Sequence, residues 1–568
     1  MFWRKYIHPY RVQAVVGFLF KSAEAVLELM VPLVVVKVID VGVANNDTGY
    51  ISHMALYMYG LALAGYACSL VCQYFASVTS QGFGTLVRRD MFEAVNRYDY
   101  DTLDILGTPT LITRIANDVN QLQLAVAMTI RLVSRNPVLI FGSLIMAMIV
   151  NREIGLIFLC IAPLIALAIW FVMSHSQPIY TKVQTILDDV SLITRENLSG
   201  VRVIRAFNKQ GSEKVRFNKV TETQKDHQLK AGNISALMNP MTTVIVNTGI
   251  ILILYVSGVR VNTGALTQGE VIALINYMNQ ILLSMYAFAN VILIYVKAGA
   301  SSARVQEVLN LKPLMSEGEK DAPQTYDHLL EFDNVSFSYH SGEALSHISF
   351  TADPGETIGI IGGTGSGKSS LVNLIPRFYD VSEGSVKVMG QDVRDYKYDA
   401  LRHLIGLVPQ QATLFSGTVR SNLLWGNPNA SEEDIQSALD ISQAKEIVDK
   451  MDKGLDTTIE ASGKNVSGGQ RQRLTIARAL VRKPDILILD DSASALDFAT
   501  DAKLRKALRT LDCTTIIVSQ RVSAIESADK ILVLNHGALE DIGTHDELME
   551  RCTLYQEIVA SQRKGDNA

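Results

Sequence analysis

Residues 356–375 read ETIGIIGGTGSGKSSLVNLI, and this stretch decides the fold of the C-terminal half of the chain. Gly362, Gly367, Lys368 and Ser369 fit the pattern G-x-x-x-x-G-K-[ST] in full. The apolar residues before the motif predict a strand, and the amphipathic residues after it predict a helix, which is the context of a P-loop. Such a loop points successive backbone N–H groups into one concavity that receives phosphate oxygens.

This loop supplies the first candidate residues of a nucleotide site. Lys368 brings a mobile positive charge toward the β- and γ-phosphates, and the hydroxyl of Ser369 is a predicted Mg²⁺ ligand. The ligands expected are therefore ATP and Mg²⁺. The predicted ATP-binding residues of the segment are Gly362, Gly363, Thr364, Gly365, Ser366, Gly367, Lys368, Ser369 and Ser370.

Two further patterns follow downstream. Residues 485–489 (DILIL) predict a second apolar strand that ends at Asp490 and Asp491. In P-loop folds a carboxylate at the end of such a strand holds Mg²⁺, so Asp490 is a predicted metal ligand. Between the two motifs, residues 465–473 (NVSGGQRQR) place a serine and two glycines at the start of a predicted helix, a second anion site. Together, the three patterns predict an α/β P-loop nucleotide-binding domain.

The first half of the chain has a different composition. Of the 568 residues, 48% are hydrophobic and the mean hydropathy is +0.18, which indicates a lipid-facing surface. The basic N-terminus precedes an apolar run without a small-residue cleavage site, so we expect a retained first membrane helix and not a signal peptide. Runs of this length can cross the ~30 Å hydrocarbon layer. Six membrane helices are predicted, over residues 12–36, 54–77, 124–150, 154–173, 240–257 and 271–296.

The segments between these helices alternate in length and charge. The long segments 79–123 and 174–233 are rich in charge, whereas the short ones carry few Lys or Arg. This asymmetry predicts that the long loops, both termini and the nucleotide-binding domain are cytoplasmic. Helical periodicity in the long loops predicts that the membrane helices continue into the cytoplasm. The predicted domains are an all-α, six-helix transmembrane domain over 1–312, a linker over 313–328, and the α/β domain over 329–568.

Charge and cysteine content exclude other classes. The net charge of −5 and the pI of about 6.1 give no indication of a nucleic-acid partner. The five cysteines are scattered without metal-ligand spacing. We therefore expect a lipid bilayer and a small-molecule substrate as partners, and no nucleic acid.

Several predicted membrane helices carry ionisable residues. Lys21, Glu24 and Glu28 lie in the first, and Arg131 and Arg135 lie near the third. Charge inside a membrane is costly and usually faces a cavity or a partner. Two interpretations stay open: these residues line the path of a polar or cationic substrate, or they snorkel or pair between helices.

In this combination of features the chain resembles the ATP-binding cassette (ABC) family, and specifically exporters with six membrane helices followed by one cassette. The resemblance implies that Tyr339 stacks on adenine and that Gln410 senses the γ-phosphate and Mg²⁺, with Gln411 as the adjacent rival. It also implies two loop tips that couple the cassette to the membrane helices, at 107–119 and 196–207. The residues implied to contact a nucleotide held by a partner subunit are Ser467, Gly468, Gly469, Gln470 and Asp497, the last within the segment 494–497 (SALD) that would cross the dimer interface.

The chain departs from the family pattern at two catalytic positions. The family usually has Glu after the metal-binding aspartate, and this chain has Asp491; it usually has His in the switch strand, and this chain has Gln520. Asp is one methylene shorter, so its carboxylate is set back from the attacking water. Gln forms hydrogen bonds but carries no proton or charge. The two changes together predict a site that binds ATP and hydrolyses it slowly.

The pattern is similar to that of heterodimeric ABC exporters, many of them bacterial multidrug pumps. We therefore expect a multi-pass subunit of a bacterial cytoplasmic membrane whose partner carries Glu and His at these two positions. The expected activity is ATP-driven export of a small amphipathic molecule, drug-like or lipid-like. A homodimer with slow hydrolysis and an ATP-gated channel or regulator are the alternatives.

Overall fold

The computed structural model describes residues 2–323, 325–339, 342–492 and 496–565. The chain forms two compact units. The first contains Met1–Arg97 and Leu106–Leu311, and the second contains Tyr98–Ile105 and Lys312–Ala568. The short segment Tyr98–Ile105 therefore belongs to the C-terminal unit, which composition did not predict.

The first unit is helical. Its helices are Phe2–Ile7, Arg11–Lys37, Thr48–Asn96, Thr108–Thr113, Val119–Met128, Asn136–Val150, Arg152–Ser199, Val201–Ala206, Gln210–Ala236, Met238–Asn262 and Gln268–Asn310. A 3₁₀ turn at His8–Tyr10 and π-helical turns at Val38–Val43, Arg114–Asp118 and Thr129–Val133 join some of them. The helix Tyr100–Leu106 lies mostly in the segment that belongs to the second unit.

Five helical stretches of the described residues are long and apolar enough to cross a membrane. They are Thr48–Asn96, Thr108–Val150, Arg152–Ser199, Gln210–Asn262 and Gln268–Asn310. The 48 residues of Arg152–Ser199 extend about 72 Å at 1.5 Å per residue, well beyond the hydrocarbon layer. The first long helix, Arg11–Lys37, has 27 residues but includes five ionisable side chains, so the sixth span stays a prediction.

The outer surface of these helices is apolar. In the most apolar 18-residue stretch of Thr48–Asn96, only 6% is buried. The side chains of Trp170 and Tyr255 are 64% and 74% exposed. The interior packs other apolar residues, among them Phe158, Ile253 and Tyr277. Large apolar residues exposed over whole helix faces indicate a surface that contacts lipid.

The charges of the first helix are paired. Lys21 Nζ lies 2.7 Å from a carboxylate oxygen of Glu24, and Arg135 donates to both carboxylate oxygens of Glu28 at 2.8 and 2.9 Å. Arg131 donates to the hydroxyl of Ser77 at 3.1 Å. One of these ion pairs, Arg135–Glu28, joins two helices, whereas Lys21 and Glu24 pair within one helix. Whether these residues line a substrate path stays a prediction.

The second unit is built on a mixed sheet. Its strands are β1 (Leu330–Tyr339), β2 (Gly342–Ala352), β3 (Thr357–Gly362), β4 (Glu383–Val388), β5 (Gln391–Asp392), β6 (Ile405–Val408), β7 (Gly417–Thr418), β8 (Thr458–Ile459), β9 (Ile486–Asp490), β10 (Thr514–Val518), β11 (Lys530–Asn535) and β12 (Ala538–Gly543). The large sheet has the order β5-β4-β1-β2-β12-β11-β3-β10-β9-β6, and β7 pairs with β8 separately. Strands β11, β3, β10, β9 and β6 run parallel, so their carboxyl ends meet at one edge.

Helices cover this sheet and bury an apolar core. They are Lys368–Leu374, Tyr398–His403, Val419–Leu423, Glu432–Ile441, Lys445–Asp449, Gly468–Val481, Phe498–Leu508, Val522–Ile525, His545–Arg551 and Thr553–Gly565. The strand residues Ile358, Ile360, Ile488 and Ile516 are at most 1% exposed. Because the parallel strands are apolar on both faces, only their ends can present polar groups.

Candidate functional site

The P-loop connects the end of β3 to the helix Lys368–Leu374. Its backbone needs glycine at two places, because Gly365 and Gly367 have φ angles of 80° and 94°. A Cβ at Gly362 would lie 2.3 Å from the carbonyl oxygen of Leu534, so a larger residue would collide with β11. The pattern of glycines seen in the sequence is thus required by the backbone conformation and by close packing.

Lys368 lies against its own loop. Its Nζ donates to the carbonyl oxygens of Gly362 at 2.9 Å and Gly363 at 2.7 Å. Burial lowers the pKa of this ammonium group, and the nearby Asp491 and Asp490 act in the opposite direction. The arrangement holds a positive charge at the mouth of the loop.

Asp490 and Ser369 form a pair of oxygen groups beside the loop. Asp490 ends β9 and is 7% exposed, and it accepts a hydrogen bond of 3.2 Å from Ser369 Oγ. Burial raises the pKa of this carboxyl, while the bond from Ser369 lowers it. A carboxylate and a hydroxyl are the hard oxygen ligands that Mg²⁺ takes, so the donor set fits this ion.

Asp491 follows directly, in an unusual backbone conformation. Its φ is 46°, in the left-handed region, and its amide donates to the carbonyl oxygen of Val518 on β10 at 2.9 Å. Gln410 Nε2 lies 3.4 Å from Asp491 Oδ2, which is longer than an ordinary N–H···O bond. Burial raises the pKa of the Asp491 carboxyl, and the contact with Gln410 lowers it.

A pocket of about 550 Å³ brings these groups together. Gln410 and Gln520 follow β6 and β10, and Asp490 ends β9, the strand between them. The carboxyl ends of these strands share one edge of the sheet. The described residues that line the pocket are Tyr339, Gly342, Glu343, Ala344, Thr364, Gly365, Ser366, Gly367, Lys368, Ser369, Ser370, Gln410, Asp490, Asp491, Val518, Gln520, His536 and Gly537. The predicted residues Gly362 and Gly363 stand behind this lining and accept hydrogen bonds from Lys368.

Tyr339 closes one side of the pocket. It is the last residue of β1, and its hydroxyl donates to Ser370 Oγ at 3.2 Å. Its ring packs edge-on against Phe337 and Tyr379, with centroids 4.6 and 5.2 Å apart. A ring held this way has its orientation set before any ligand arrives.

Sequence reasoning missed several lining residues. His536 and Gly537 form the turn between β11 and β12, both with positive φ, and the Gly537 amide donates to the carbonyl oxygen of Ser366 at 3.2 Å. Glu343 and Ala344 reach the pocket from β2. For His536 and Gly537, the one available signal was a histidine–glycine turn after an apolar strand. That pattern does not indicate that the turn contacts the P-loop.

The residues predicted to act in trans lie elsewhere on the C-terminal unit. Ser467 caps the helix Gly468–Val481: its hydroxyl accepts from the Gln470 amide at 3.3 Å, and Gln470 Oε1 accepts from the Ser467 amide at 2.9 Å. Asp497 caps Phe498–Leu508 by accepting from the Thr500 amide at 2.9 Å. Within the described chain, none of them lines the pocket. Residues 494 and 495 of the SALD segment lie outside the described residues.

A short part of the long segment 79–123 packs within the C-terminal unit. Tyr379 donates to Asp104 at 2.8 Å, the rings of Tyr100 and Phe378 stack at 4.4 Å, and Asp99 accepts from the amides of Leu314 and Met315. These residues lie in Tyr98–Ile105, whereas the predicted tip at 107–119 belongs to the first unit. There Asp118 is buried and accepts hydrogen bonds from Arg304 and Ser301. The coupling role of the segments 107–119 and 196–207 stays a prediction.

Comparison with known proteins agrees with this architecture. The family model of the ABC transporter transmembrane region matches residues 14–285, and that of the ABC transporter matches residues 345–494. The chain is 36% identical over 563 residues to an uncharacterized ABC transporter ATP-binding protein of Bacillus subtilis, covering 98% of this chain and 97% of the relative. The chain belongs to the ABC transporter family. It is a half-size exporter, with a transmembrane region fused to one nucleotide-binding domain.

Other similar proteins have more specific names. An ATP-dependent lipid A-core flippase of Vibrio vulnificus is 31% identical over 92% of this chain and 90% of its own length. A bacterial Atm1-family ABC exporter solved with ATP bound has the same fold, with a TM-score of 0.79 at 21% identity over 98% of both chains. This transporter is thus a multi-pass membrane protein whose ATP-binding domain serves an ATPase coupled to transport.

Proposed function

We propose that this transporter is one subunit of a heterodimeric exporter of small amphipathic molecules, and that its own site binds ATP with Mg²⁺ but hydrolyses it slowly. The single observation that carries the proposal is the composition of the pocket. Its phosphate end keeps Lys368, Ser369 and Asp490, while its hydrolysis end presents Asp491 and Gln520.

The residues at the phosphate end favour ATP binding, whereas those at the hydrolysis end favour slow hydrolysis. Lys368 would exchange its contacts with two loop carbonyls for phosphate oxygens. Ser369 and Asp490 would hold Mg²⁺, which would supply neutralising charge at the β- and γ-phosphates. Tyr339 offers a fixed ring face to adenine. Binding therefore needs nothing beyond residues already present.

Hydrolysis needs a carboxylate within reach of the attacking water. Asp491 is one methylene shorter than the usual Glu and lies 3.4 Å from Gln410 Nε2, so its carboxylate stays near the strand end. Gln520 can donate a hydrogen bond to a γ-phosphate oxygen but cannot share a proton with the carboxylate. Both features favour slow hydrolysis with ATP retained.

The partner subunit would complete a second, competent site. The exposed Ser467 and Gly468, at the start of the helix Gly468–Val481, suit a phosphate group held by another chain. ATP held between two cassettes binds the closed dimer more tightly than the open one. This difference in affinity shifts the membrane region toward its outward-facing conformation. Leu198 and Phe207, 73% and 72% exposed at the tip of the second cytoplasmic loop, offer apolar surface to that partner.

Two cavities in the first unit suit an amphipathic substrate. One of about 410 Å³ is lined mainly by apolar side chains including Trp170, Met285 and Phe288, and one of about 580 Å³ includes Trp3 and Tyr295. The carboxylates of the first helix are paired, which disfavours a cationic path. The naming of similar proteins as lipid A-core flippases supports a lipid-like substrate.

The test compares the chain purified alone with the chain co-purified with a related subunit that carries Glu and His at the two positions. We expect weak ATP turnover from the single chain, despite ATP binding, and strong turnover from the pair. Lys368→Ala in the single chain is the control, because it should abolish ATP binding as well. Vigorous turnover from the chain alone would support the homodimer instead, and dye flux in vesicles that only follows the dye's concentration gradient would support an ATP-gated channel.

A further inference from the structure

The C-terminal helix Thr553–Gly565 packs beneath the switch segment, the residues 519–522 that follow β10. Tyr555 and Val559 are at most 2% exposed and join a core cluster with Val522 and Ile525. The same cluster includes Ile361, the residue before the first glycine of the P-loop. The last helix of the chain therefore shares one apolar core with two walls of the nucleotide pocket.

One side chain of this helix bonds the switch backbone twice. Gln562 Nε2 donates to the carbonyl oxygen of Gln520 at 2.7 Å, and Gln562 Oε1 accepts from the amide of Val522 at 2.9 Å. Between these contacts the Arg521 amide donates to Ser519 Oγ at 2.9 Å. Because both ends of the amide are engaged, the path of the backbone from Gln520 to Val522 is fixed by Gln562.

We infer that Gln562 is a positioning residue for Gln520, an inference that rests on the proposed role of Gln520 at the γ-phosphate. The side chain of Gln520 is exposed and lines the pocket, so its own packing does not hold it. Its Cα position and the direction of its Cα–Cβ bond come from the backbone that Gln562 fixes. Gln562 acts through this backbone and does not itself line the pocket within the described residues.

The chain offers a matched control on the same helix. Gln556 Nε2 also donates to a backbone carbonyl, that of Met549, at 2.8 Å. Gln562→Ala and Gln556→Ala each delete a glutamine that bonds the backbone, but only the first contacts the switch segment. Both variants are made in the chain purified alone in lipid nanodiscs, so that the turnover measured comes from its own site.

The kinetic test measures kcat and KM for ATP. We expect Gln562→Ala to lower kcat about 3- to 10-fold with KM changed less than about twofold, because a small misplacement affects the transition state more than ATP binding. Gln556→Ala should leave both values unchanged. In a Gln520→Ala background the additional effect of Gln562→Ala should disappear, since the two residues act through one group.

The outcomes separate this inference from the proposed function. If Gln520→Ala leaves kcat unchanged, the proposed role of Gln520 fails. If Gln520→Ala lowers kcat and Gln562→Ala does not, or if the two effects multiply in the double variant, the positioning role is wrong. Hydrogen exchange provides a readout independent of turnover: the Val522 amide should lose protection in Gln562→Ala and keep it in Gln556→Ala, and equal protection in both would overturn the inference.

Discussion

The substitution Asp491→Glu should raise ATP hydrolysis at this chain's own site. Gln410 Nε2 and Asp491 Oδ2 are 3.4 Å apart, beyond the usual range of about 2.7–3.2 Å for N–H···O bonds. One added methylene moves the carboxylate outward by roughly 1.3 Å, given a C–C bond of about 1.5 Å. Both residues are unbranched at Cβ, so the left-handed backbone at this position, with φ of 46°, accepts either side chain similarly.

The size of the effect follows from this displacement. A misplacement of about 1 Å costs up to about 100-fold in rate, and a general base contributes about 100- to 10,000-fold. We therefore expect kcat to rise about 10- to 100-fold in Asp491→Glu, a barrier lowered by roughly 1.4 to 2.7 kcal/mol. KM for ATP should stay nearly constant because Lys368, Ser369 and Asp490 are unchanged. Adding Gln520→His should raise kcat further.

The assay is phosphate release from the chain purified alone under saturating ATP, with nucleotide binding measured in parallel. Asp491→Gln is the length-matched control, because Gln reaches as far as Glu but cannot accept the proton of the attacking water. An unchanged kcat in Asp491→Glu would refute the reasoning. An equal rise of kcat in Asp491→Gln would also refute it, because the longer side chain would then be sufficient without a group that accepts a proton.

Three further predictions concern other parts of the chain. Arg304→Ala should destabilise the membrane unit by about 2–4 kcal/mol in thermal unfolding, because it leaves the buried carboxylate of Asp118 without its ion-pair partner, and adding Asp118→Asn should recover part of the loss. Tyr339→Ala should weaken ATP binding by about 1–3 kcal/mol in a fluorescent-nucleotide titration, whereas Tyr339→Phe keeps the ring and should lose less. Lys483, at 2.6 Å, and the hydrogen bonds of the helix cap lower the pKa of Asp434 to about 2, so this carboxylate stabilises the fold above its unfolded pKa of about 3.9 and loses that contribution as pH falls toward 2. Acid unfolding followed by fluorescence should therefore begin at higher pH in Lys483→Met than in wild type.

How much of the site could be predicted depended on distance along the chain. The P-loop is contiguous, and its glycines occur where the backbone needs positive φ or close packing, as at Gly365, Gly367 and Gly362. Strand β9 ends at Asp490 as its apolar pattern predicts. By contrast, His536 and Gly537 reach the loop from the end of β11, which pairs with β3, and no local pattern indicates which strands will be neighbours in the sheet.

In the membrane half, too, the sequence predicts local features but not contacts between distant segments. The bilayer sets a minimum length for an apolar run, so the sequence alone determined that several long helices cross the membrane, and five stretches meet that criterion. The partner of each charge was not determined: Arg135 and Glu28 are 107 positions apart. The contact between these two residues appears only when the helices are packed together.

The sequence by itself thus determined the family, the glycine-rich loop over 362–369 and the existence of long apolar helices, because each is written in neighbouring residues with a regular spacing. Only the tertiary structure decided that Gln562 bonds Gln520 and Val522, that Tyr98–Ile105 packs on the C-terminal unit, and that Glu28 pairs with Arg135. These contacts join segments far apart in the chain. Packing of whole helices and strands sets which of them meet, and periodicity within one segment carries no information about its partner.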